Sequence, residues 1–292
     1  MNHILEPMMT PVKITPYETG AKPGITSENY AFLQQYIYRE SGIVLDAGKQ
    51  YLLDARLTPI VKDSKLTSIN DLCALLRATH PGTLKRAVVE SITIHETLFC
   101  RDTAAFEALK TLILPELKNT RASTRRLSIW SAAASSGQEA YSVAMLLLEL
   151  GLGSWQIDIL GTDLSHQILD RARRGRYAQI EISRGLPAAY LVKYFKRHGL
   201  EWEVSEQVRR MVRFQQLDLR EIPRSFGSFD LALCRNVLIY FDVATKREIV
   251  QSIRVNMAPR GMLLLGSAET LMNLDATFER KLAGAAAYYQ MS

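Results

Sequence analysis

Residues 127–150 read LSIWSAAASSGQEAYSVAMLLLEL, and this stretch decides the fold class. It begins with a short apolar run, Leu127 to Ser131, of the kind that forms a buried β-strand. A turn of small side chains follows, and apolar residues then recur at helical spacing from about Gly137 to Leu150. A strand that leads through a short turn into a helix is the first half of a βαβ unit, so we expect an α/β fold with a parallel sheet.

The same alternation continues towards the end of the chain. About 50 residues separate the second predicted strand from the third, which is more than one crossover helix needs. We therefore expect a helix and a small β-subdomain inserted at about residues 174–211. Residues Phe278 to Met291 predict a hairpin with its turn near Gly284. The predicted strands of the sheet are Leu127–Ser131, Ile157–Asp163, Val212–Leu217, Phe229–Cys234 and Met262–Gly266.

The first part of the chain has a different pattern. Apolar residues recur at helical spacing from Thr26 to Ile92, which predicts a small bundle of helices. Residues 1–22 carry several prolines and little periodicity, which is typical of a flexible arm. The predicted division is a flexible N-terminal arm over 1–22, a helical domain over 23–100, a linker over 101–125 and an α/β domain over 126–292.

The composition narrows the class of protein. The formal net charge of +6 favours an acidic partner, which could be nucleic acid, anionic lipid or an acidic protein surface. Five histidines and three cysteines lack the close spacing of a zinc site or a disulfide framework, so we expect no metal. No leader pattern and no apolar run of membrane-spanning length is found, so we expect a cytoplasmic protein without membrane insertion.

Polar residues that follow the predicted strands indicate a ligand site, because open parallel sheets bind ligands beyond the carboxyl ends of their strands. The turn Ser131–Glu139 lacks the GxGxxG spacing of a dinucleotide site, and Glu139 would repel a pyrophosphate but suit an amino group. Asp163 ends the second strand, where nucleotide cofactors usually have their ribose hydroxyls bound. Structural alternatives remain open: Ser136 and Glu139 also fit a capping box, and Asp163 or Ser165 could cap the next helix.

The sequence resembles the bacterial chemotaxis receptor glutamate methyltransferases over nearly the whole chain after the arm. Three blocks carry the resemblance: Thr93–Asp102, Trp130–Tyr141 and Cys234–Asp242. It implies a Rossmann-like S-adenosylmethionine-dependent methyltransferase domain with an inserted small β-subdomain, preceded by a small helical domain. The implied cofactor contacts are His95, Thr97, Arg101, Glu139, Asp163, Asp218, Leu219, Arg235 and Asn236, and the implied catalytic residues are Arg101 and Tyr240.

Some positions depart from the family pattern. The family commonly has Asn where His95 and Asp218 stand, and Glu-Glu-Pro where residues 138–140 read Gln-Glu-Ala. None of these departures removes a charge that the implied mechanism needs. For Arg101, a salt bridge with Asp102 or Glu107 remains the structural alternative, and for Tyr240 it is core packing.

The resemblance also implies a reaction and a partner. The chain would transfer a methyl group to glutamate side chains in the cytoplasmic domain of methyl-accepting chemotaxis receptors, leaving S-adenosylhomocysteine. We expect a monomer. Candidates for contact with an acidic receptor surface are the basic residues on or beside the second predicted helix, namely Lys49, Arg56, Lys62 and Lys65.

Two other functions fit parts of the sequence. A nucleic-acid methyltransferase suits the basic charge, but nucleobase amino methylation typically relies on an Asn/Asp-Pro-Pro-aromatic turn. Residues 235–238 read Arg-Asn-Val-Leu, without those prolines, so we expect no nucleic-acid substrate. A non-catalytic module that senses S-adenosylmethionine is the other alternative. An NAD-dependent oxidoreductase is the weakest rival, because the phosphate-binding loop is missing.

Overall fold

A computed structural model describes residues 24–78 and 82–291. The predicted arm over 1–22 lies outside the described residues. No helix within the described ranges is long and apolar enough to cross a membrane. In chain order the elements are α1 Ser27–Ser41, α2 Gln50–Asp63, α3 Ile69–Ala78, α4 Gly82–Ile92, α5 Thr103–Ala108, a π-helical turn Leu109–Ile113, α6 Leu114–Thr120, β1 Arg126–Ala132, α7 Gln138–Glu149, β2 Gln156–Asp163, α8 His166–Arg174, β3 Arg176–Ala178, α9 Gln179–Ser183, α10 Ala188–Tyr194, β4 Phe195–His198, β5 Glu201–Val204, α11 Glu206–Arg209, β6 Val212–Gln216, β7 Phe229–Cys234, α12 Val243–Val255, β8 Met257–Leu265, β9 Phe278–Ala283 and β10 Ala286–Met291.

The predicted helical bundle is confirmed by α1 to α4. Thr26 caps the start of α1 by accepting a hydrogen bond from the Asn29 N–H, and Gly42 ends that helix in the left-handed conformation. The apolar stripes of the helices face one another and form a separate core, as their spacing predicted. Its fully buried members include Leu33, Ile37, Leu57, Leu72 and Val88.

The linker prediction for residues 101–125 was wrong for most of its length. Residues 103–120 form α5, the π-helical turn and α6, and their apolar side chains pack into the core beneath the large sheet. Phe106, Leu109, Ile113 and Leu117 are buried there. Their spacing of three to four residues is that of a helix face, so burial against the sheet stabilises helical structure in this stretch.

The large sheet has seven strands in the order β6-β2-β1-β7-β8-β10-β9. Pairing is parallel from β6 to β8, and the hairpin of β9 and β10 adds two antiparallel strands at the edge. The five predicted strands and the predicted hairpin are confirmed. The last parallel strand starts earlier than predicted, at Met257, with an irregularity in its register opposite Phe229 to Leu231. The fold is Rossmann-like, and its parallel strands end at one edge of the sheet.

The segment between β2 and β6 forms a second, smaller sheet, which confirms the predicted β-subdomain. Its strands are antiparallel in the order β3-β5-β4. Phe99, in the segment between α4 and α5, packs edge-on against Tyr177 and Phe195 of this subdomain. The subdomain is therefore joined to the chain that connects the two larger domains.

Arg220 fastens the helical domain to the α/β domain. Its guanidinium donates to the carbonyl oxygens of Arg39 and Glu40 at the end of α1, at 3.0 and 2.8 Å, and to Asp218 at 2.6 Å. A cation at a helix C-terminus satisfies unpaired carbonyls and interacts favourably with the helix dipole. The backbone adds a second link, from the Val44 N–H to the Tyr240 carbonyl at 2.9 Å.

Replacing Arg220 with alanine should loosen this junction. We expect Arg220→Ala to lower the free energy of unfolding by about 1–2 kcal/mol, since hydrogen bonds of a partly buried charged group are lost. Amides at the end of α1 should exchange with deuterium faster, as measured by hydrogen–deuterium exchange. Arg213→Ala is the matched control, because Arg213 pairs with Asp158 in an exposed ion pair within one domain. Unchanged exchange in α1 would contradict the role given to Arg220.

Candidate active site

The turn after β1 is shaped to bring backbone close to a ligand. Ala133 and Ser135 adopt positive φ angles of 60° and 51°, and Gly137 has a φ of 90°. A Cβ on Gly137 would lie 2.9 Å from the ring of Phe214 and 3.1 Å from Ala172, so only glycine fits there. The turn therefore stays compact, and it opens into a cavity at the carboxyl edge of the sheet.

Glu139 faces this cavity and does not cap a helix. The N-cap of α7 is Gly137, without a side-chain cap, so the capping-box alternative was wrong. Instead, the Glu139 carboxylate accepts hydrogen bonds from the Ser131 hydroxyl and from the Arg235 guanidinium, each at 2.8 Å. Strand β1 and the residue that follows β7 thus both supply partners, and Glu139 is held at the wall of the cavity.

Arg235 is the buried cation that balances this carboxylate. Its side chain is only 2% exposed and also donates to the carbonyl of Arg101 at 2.8 Å, with Asp102 3.5 Å away. Its Nε atom is buried and has no hydrogen-bond acceptor among the described residues. Buried polar atoms are rarely left without a partner, so this N–H remains available as a hydrogen-bond donor.

Asp163 ends β2 and is almost fully buried, with 8% of its surface exposed. Its carboxylate accepts hydrogen bonds from the backbone N–H groups of Ser135 and Ser165, at 2.9 and 3.0 Å. Of the two capping alternatives, Ser165 caps α8, whereas Asp163 accepts from the turn after β1. Burial raises the pKa of Asp163 above its ordinary value, and the hydrogen bonds and His95 oppose that shift.

His95 joins the helical domain to the same turn. Its ring nitrogen Nε2 lies 2.7 Å from the Thr93 hydroxyl, and its carbonyl accepts from the Ser135 hydroxyl at 3.0 Å. Burial lowers the pKa of His95, although Asp163 pulls it in the other direction. The lowered pKa keeps the imidazole neutral at neutral pH, which suits a hydrogen-bonding wall of the cavity.

Arg101 and Tyr240 both line this cavity. The Arg101 guanidinium donates to the Glu96 carbonyl at 2.6 Å. The salt bridge to Asp102 considered for Arg101 is made instead by Arg235. Tyr240 is partly exposed rather than packed in the core, and burial raises the pKa of its phenol, which therefore remains protonated at neutral pH.

The structure brings all ten residues implied by the resemblance to one cavity. Asp218 and Leu219 follow β6, and Asp218 is paired with Arg220. Sequence reasoning missed the contribution of Ser41 and Ile43, which come from the helical domain and also line the cavity. Nothing in their sequence context marks them. The ten residues that the resemblance implied, and that line the cavity, are His95, Thr97, Arg101, Glu139, Asp163, Asp218, Leu219, Arg235, Asn236 and Tyr240.

Sequence reasoning also missed Glu269. It follows the end of β8 and accepts hydrogen bonds from the loop that carries Asn236. The rule that selected Asp163, a polar residue just beyond a parallel strand, would have found it if applied to the last parallel strand.

The candidate receptor-contact residues have different environments. Arg56 donates to the carbonyls of Ser91, Ile92 and Thr93, so its guanidinium holds the end of α4. Lys49 pairs with Asp46. Lys62 and Lys65 are exposed at the end of α2.

The charged and polar side chains that line the cavity fit S-adenosylmethionine. Two carboxylates, Glu139 and Asp163, suit an ammonium group, ribose hydroxyls and a nearby sulfonium charge, whereas they would repel phosphates. The unpaired Nε of Arg235 suits a carboxylate. Within 24–78 and 82–291, no cluster of His, Cys, Asp or Glu is arranged to hold a metal ion.

Comparison with known proteins matches both domains to models of one family. Residues 28–93 match the family model described as CheR methyltransferase, all-alpha domain. Residues 95–285 match the model described as CheR methyltransferase, SAM binding domain.

Several relatives match along almost their whole length. The chain is 39% identical to Chemotaxis protein methyltransferase 1 of Pseudomonas aeruginosa, over 86% of this chain and 93% of that protein. It is 35% identical to Chemotaxis protein methyltransferase Cher2 of Pseudomonas putida, over 91% and 99%. A Chemotaxis protein methyltransferase of Vibrio parahaemolyticus is 37% identical, over 87% and 94%. The chain therefore belongs to the CheR methyltransferase family and is an S-adenosylmethionine-dependent methyltransferase.

Proposed function

We propose that this methyltransferase acts on glutamate side chains in the cytoplasmic domain of methyl-accepting chemotaxis receptors, forming glutamate methyl esters. The observation that carries the proposal is that Arg101 and Tyr240 line the same cavity as the carboxylates Glu139 and Asp163. The names of the relatives, chemotaxis protein methyltransferases, support the same substrate.

The cavity divides into a cofactor part and a substrate part in this proposal. Asp163 binds the ribose hydroxyls, and Glu139 with Arg235 binds the amino and carboxylate groups of the methionine moiety. His95, Thr97, Asp218, Leu219 and Asn236 complete the cofactor contacts. Arg101 and Tyr240 are the catalytic residues that meet the substrate carboxylate.

No general base is needed for this reaction. A free glutamate has a pKa of about 4.3, so the attacking carboxylate is already ionised at neutral pH. His95, held neutral and hydrogen-bonded to Thr93, serves as a wall of the site rather than as a proton acceptor. When bound, S-adenosylmethionine supplies an electrophilic methyl group, and its transfer to a carboxylate oxygen leaves a methyl ester and S-adenosylhomocysteine.

The protein contributes orientation and exclusion of water. Arg101 orients the substrate carboxylate, with its guanidinium shared with the Glu96 carbonyl so that the nucleophile is not fully neutralised. Tyr240 is protonated and can donate one hydrogen bond. Ser41 and Ile43 of the helical domain also line the cavity, and their proposed role is to limit access of water. Alignment of two reactants in a dry site supplies a large part of the rate in such reactions.

A labelling experiment tests the substrate. The chain, incubated with methyl-labelled S-adenosylmethionine and receptor-rich membranes, should place base-labile label on receptor protein, as expected for an ester. RNA and DNA in parallel incubations should stay unlabelled. Label on nucleic acid, or no label on any receptor while the cofactor is bound, would contradict the proposed substrate.

Removing one charge tests the proposed cofactor contact at Asp163. We expect Asp163→Asn to raise the dissociation constant of S-adenosylhomocysteine about tenfold or more in isothermal titration, which corresponds to about 1.4 kcal/mol. The variant keeps the size of the side chain but loses the charged acceptor. Asp158→Asn is the control, since Asp158 lies on the same strand and pairs with Arg213 at the surface. Equal affinity in both variants would remove Asp163 from the binding site.

Two substitutions separate catalysis from binding. Arg101→Ala and Tyr240→Phe should lower kcat roughly 100-fold by misaligning the reactants. Their affinity for S-adenosylhomocysteine, measured by titration, should change far less. Arg247→Ala, an exposed arginine of α12, is the control for loss of positive charge. Parallel losses of binding and turnover would favour a module that only senses the cofactor.

A further inference from the structure

Glu269 binds the backbone of the loop that follows β7. One carboxylate oxygen accepts from the N–H groups of Asn236 and Gly266, at 2.7 and 2.8 Å. The other accepts from those of Val237 and Leu238, at 2.9 and 2.8 Å, with the Ile239 nitrogen at 3.4 Å. Each carboxylate oxygen thus accepts at least two hydrogen bonds from backbone N–H groups, and the N–H groups of the loop all point to one carboxylate.

The surrounding backbone is built for this contact. Asn236 has a positive φ of 57°, which turns successive N–H groups towards the carboxylate. A Cβ on Gly266 would lie 2.7 Å from Glu269 and 2.8 Å from the Asn236 side chain, so glycine is required where β8 ends. The Glu269 N–H closes a turn onto the Gly266 carbonyl at 2.9 Å. The carboxylate is therefore held in place by its own turn.

The loop so fixed carries side chains of the active site. Asn236 and Tyr240 line the cavity, and Arg235 stands directly before the loop. The carbonyl of Tyr240 also accepts from Val44 of the helical domain. Glu269 itself is not among the residues that line the cavity, so its hydrogen bonds reach the site through the loop.

We propose that Glu269 is a positioning residue for methyl transfer: its carboxylate organises the backbone of residues 236–239 and so sets Asn236 and Tyr240 in the cavity. This inference rests on the proposed roles of those two side chains. Charge-assisted hydrogen bonds from several N–H groups to one carboxylate are short and strong, and they fix a loop that has no partner in the sheet. A shift of about 1 Å in such a loop can cost roughly 100-fold in rate.

The decisive variant is Glu269→Gln. It keeps the size of the side chain, but its amide NH₂ would face backbone donors, because both oxygens accept in the structure. We expect kcat to fall about 10- to 100-fold, KM for the receptor to change less, and the affinity for S-adenosylhomocysteine to weaken several-fold through Asn236. Glu279→Gln is the matched control, since Glu279 lies exposed on β9 and pairs with Lys281.

A double variant distinguishes positioning from general stability. If Glu269 acts through Tyr240, then Glu269→Gln combined with Tyr240→Phe should be little slower than Glu269→Gln alone, so the two losses are not additive. Assays are made well below the melting temperature of each variant. Should Glu269→Gln fail to fold, Glu269→Asp, which retains the charge but shortens the reach, is assayed in the same way.

The outcomes decide the proposal. Parental kcat, KM and cofactor affinity in the folded variant would overturn it, as would full additivity with Tyr240→Phe. Reduced kcat with non-additivity, and parental behaviour of Glu279→Gln, would support it. If the parent chain methylates no receptor, the proposed substrate fails. The role of Glu269 is then decided by S-adenosylhomocysteine titration, in which unchanged affinity overturns it and weakened affinity supports it.

Discussion

Two carboxylates lie at the carboxyl edge of the sheet, Asp163, which is buried, and Glu139, whose side chain is only 12% exposed, and their low exposure constrains the groups around them. An uncompensated buried charge costs several kcal/mol, so each carboxylate needs hydrogen-bond donors of fixed geometry. For Asp163 these are backbone N–H groups of Ser135 and Ser165, and for Glu139 the main donor is the buried Arg235. The turn after β1 and the end of β7 are therefore held together by charge, and the cavity between them is preformed.

The helical domain completes this cavity rather than merely preceding it. His95 bonds to the Ser135 hydroxyl through its carbonyl, Arg220 ties Asp218 to the end of α1, and Ser41 lies at the cavity wall. A methyl transfer between two charged groups gains most from alignment and from exclusion of water. Contacts between the two domains hold both parts of the cavity wall in place, so the site includes contacts that lie outside the sheet.

Much of the site could be predicted because it obeys a local rule. Glu139, Asp163 and Arg235 each lie just after a parallel strand or at the helix that follows it, and strand ends are recognisable from apolar runs. The rule did not reveal what those side chains bond to. Ser136 and Glu139 have the spacing of a capping box, yet Glu139 turns to Arg235, almost a hundred residues further along the chain. The pairing of Glu139 with Arg235 is a contact between distant segments, which local residue spacing cannot predict.

The sequence by itself determined the α/β class, the strands, the terminal hairpin and the family, because apolar periodicity and three motif blocks are properties of contiguous residues. Only the tertiary structure decided that residues 103–120 are helices of the core, that Ser41 and Ile43 reach the cavity, and that Glu269 organises the loop at Asn236. Each of these features depends on contacts between segments that lie far apart in the sequence. Burial and long-range pairing exist only once the chain has folded, so they leave little trace in local sequence.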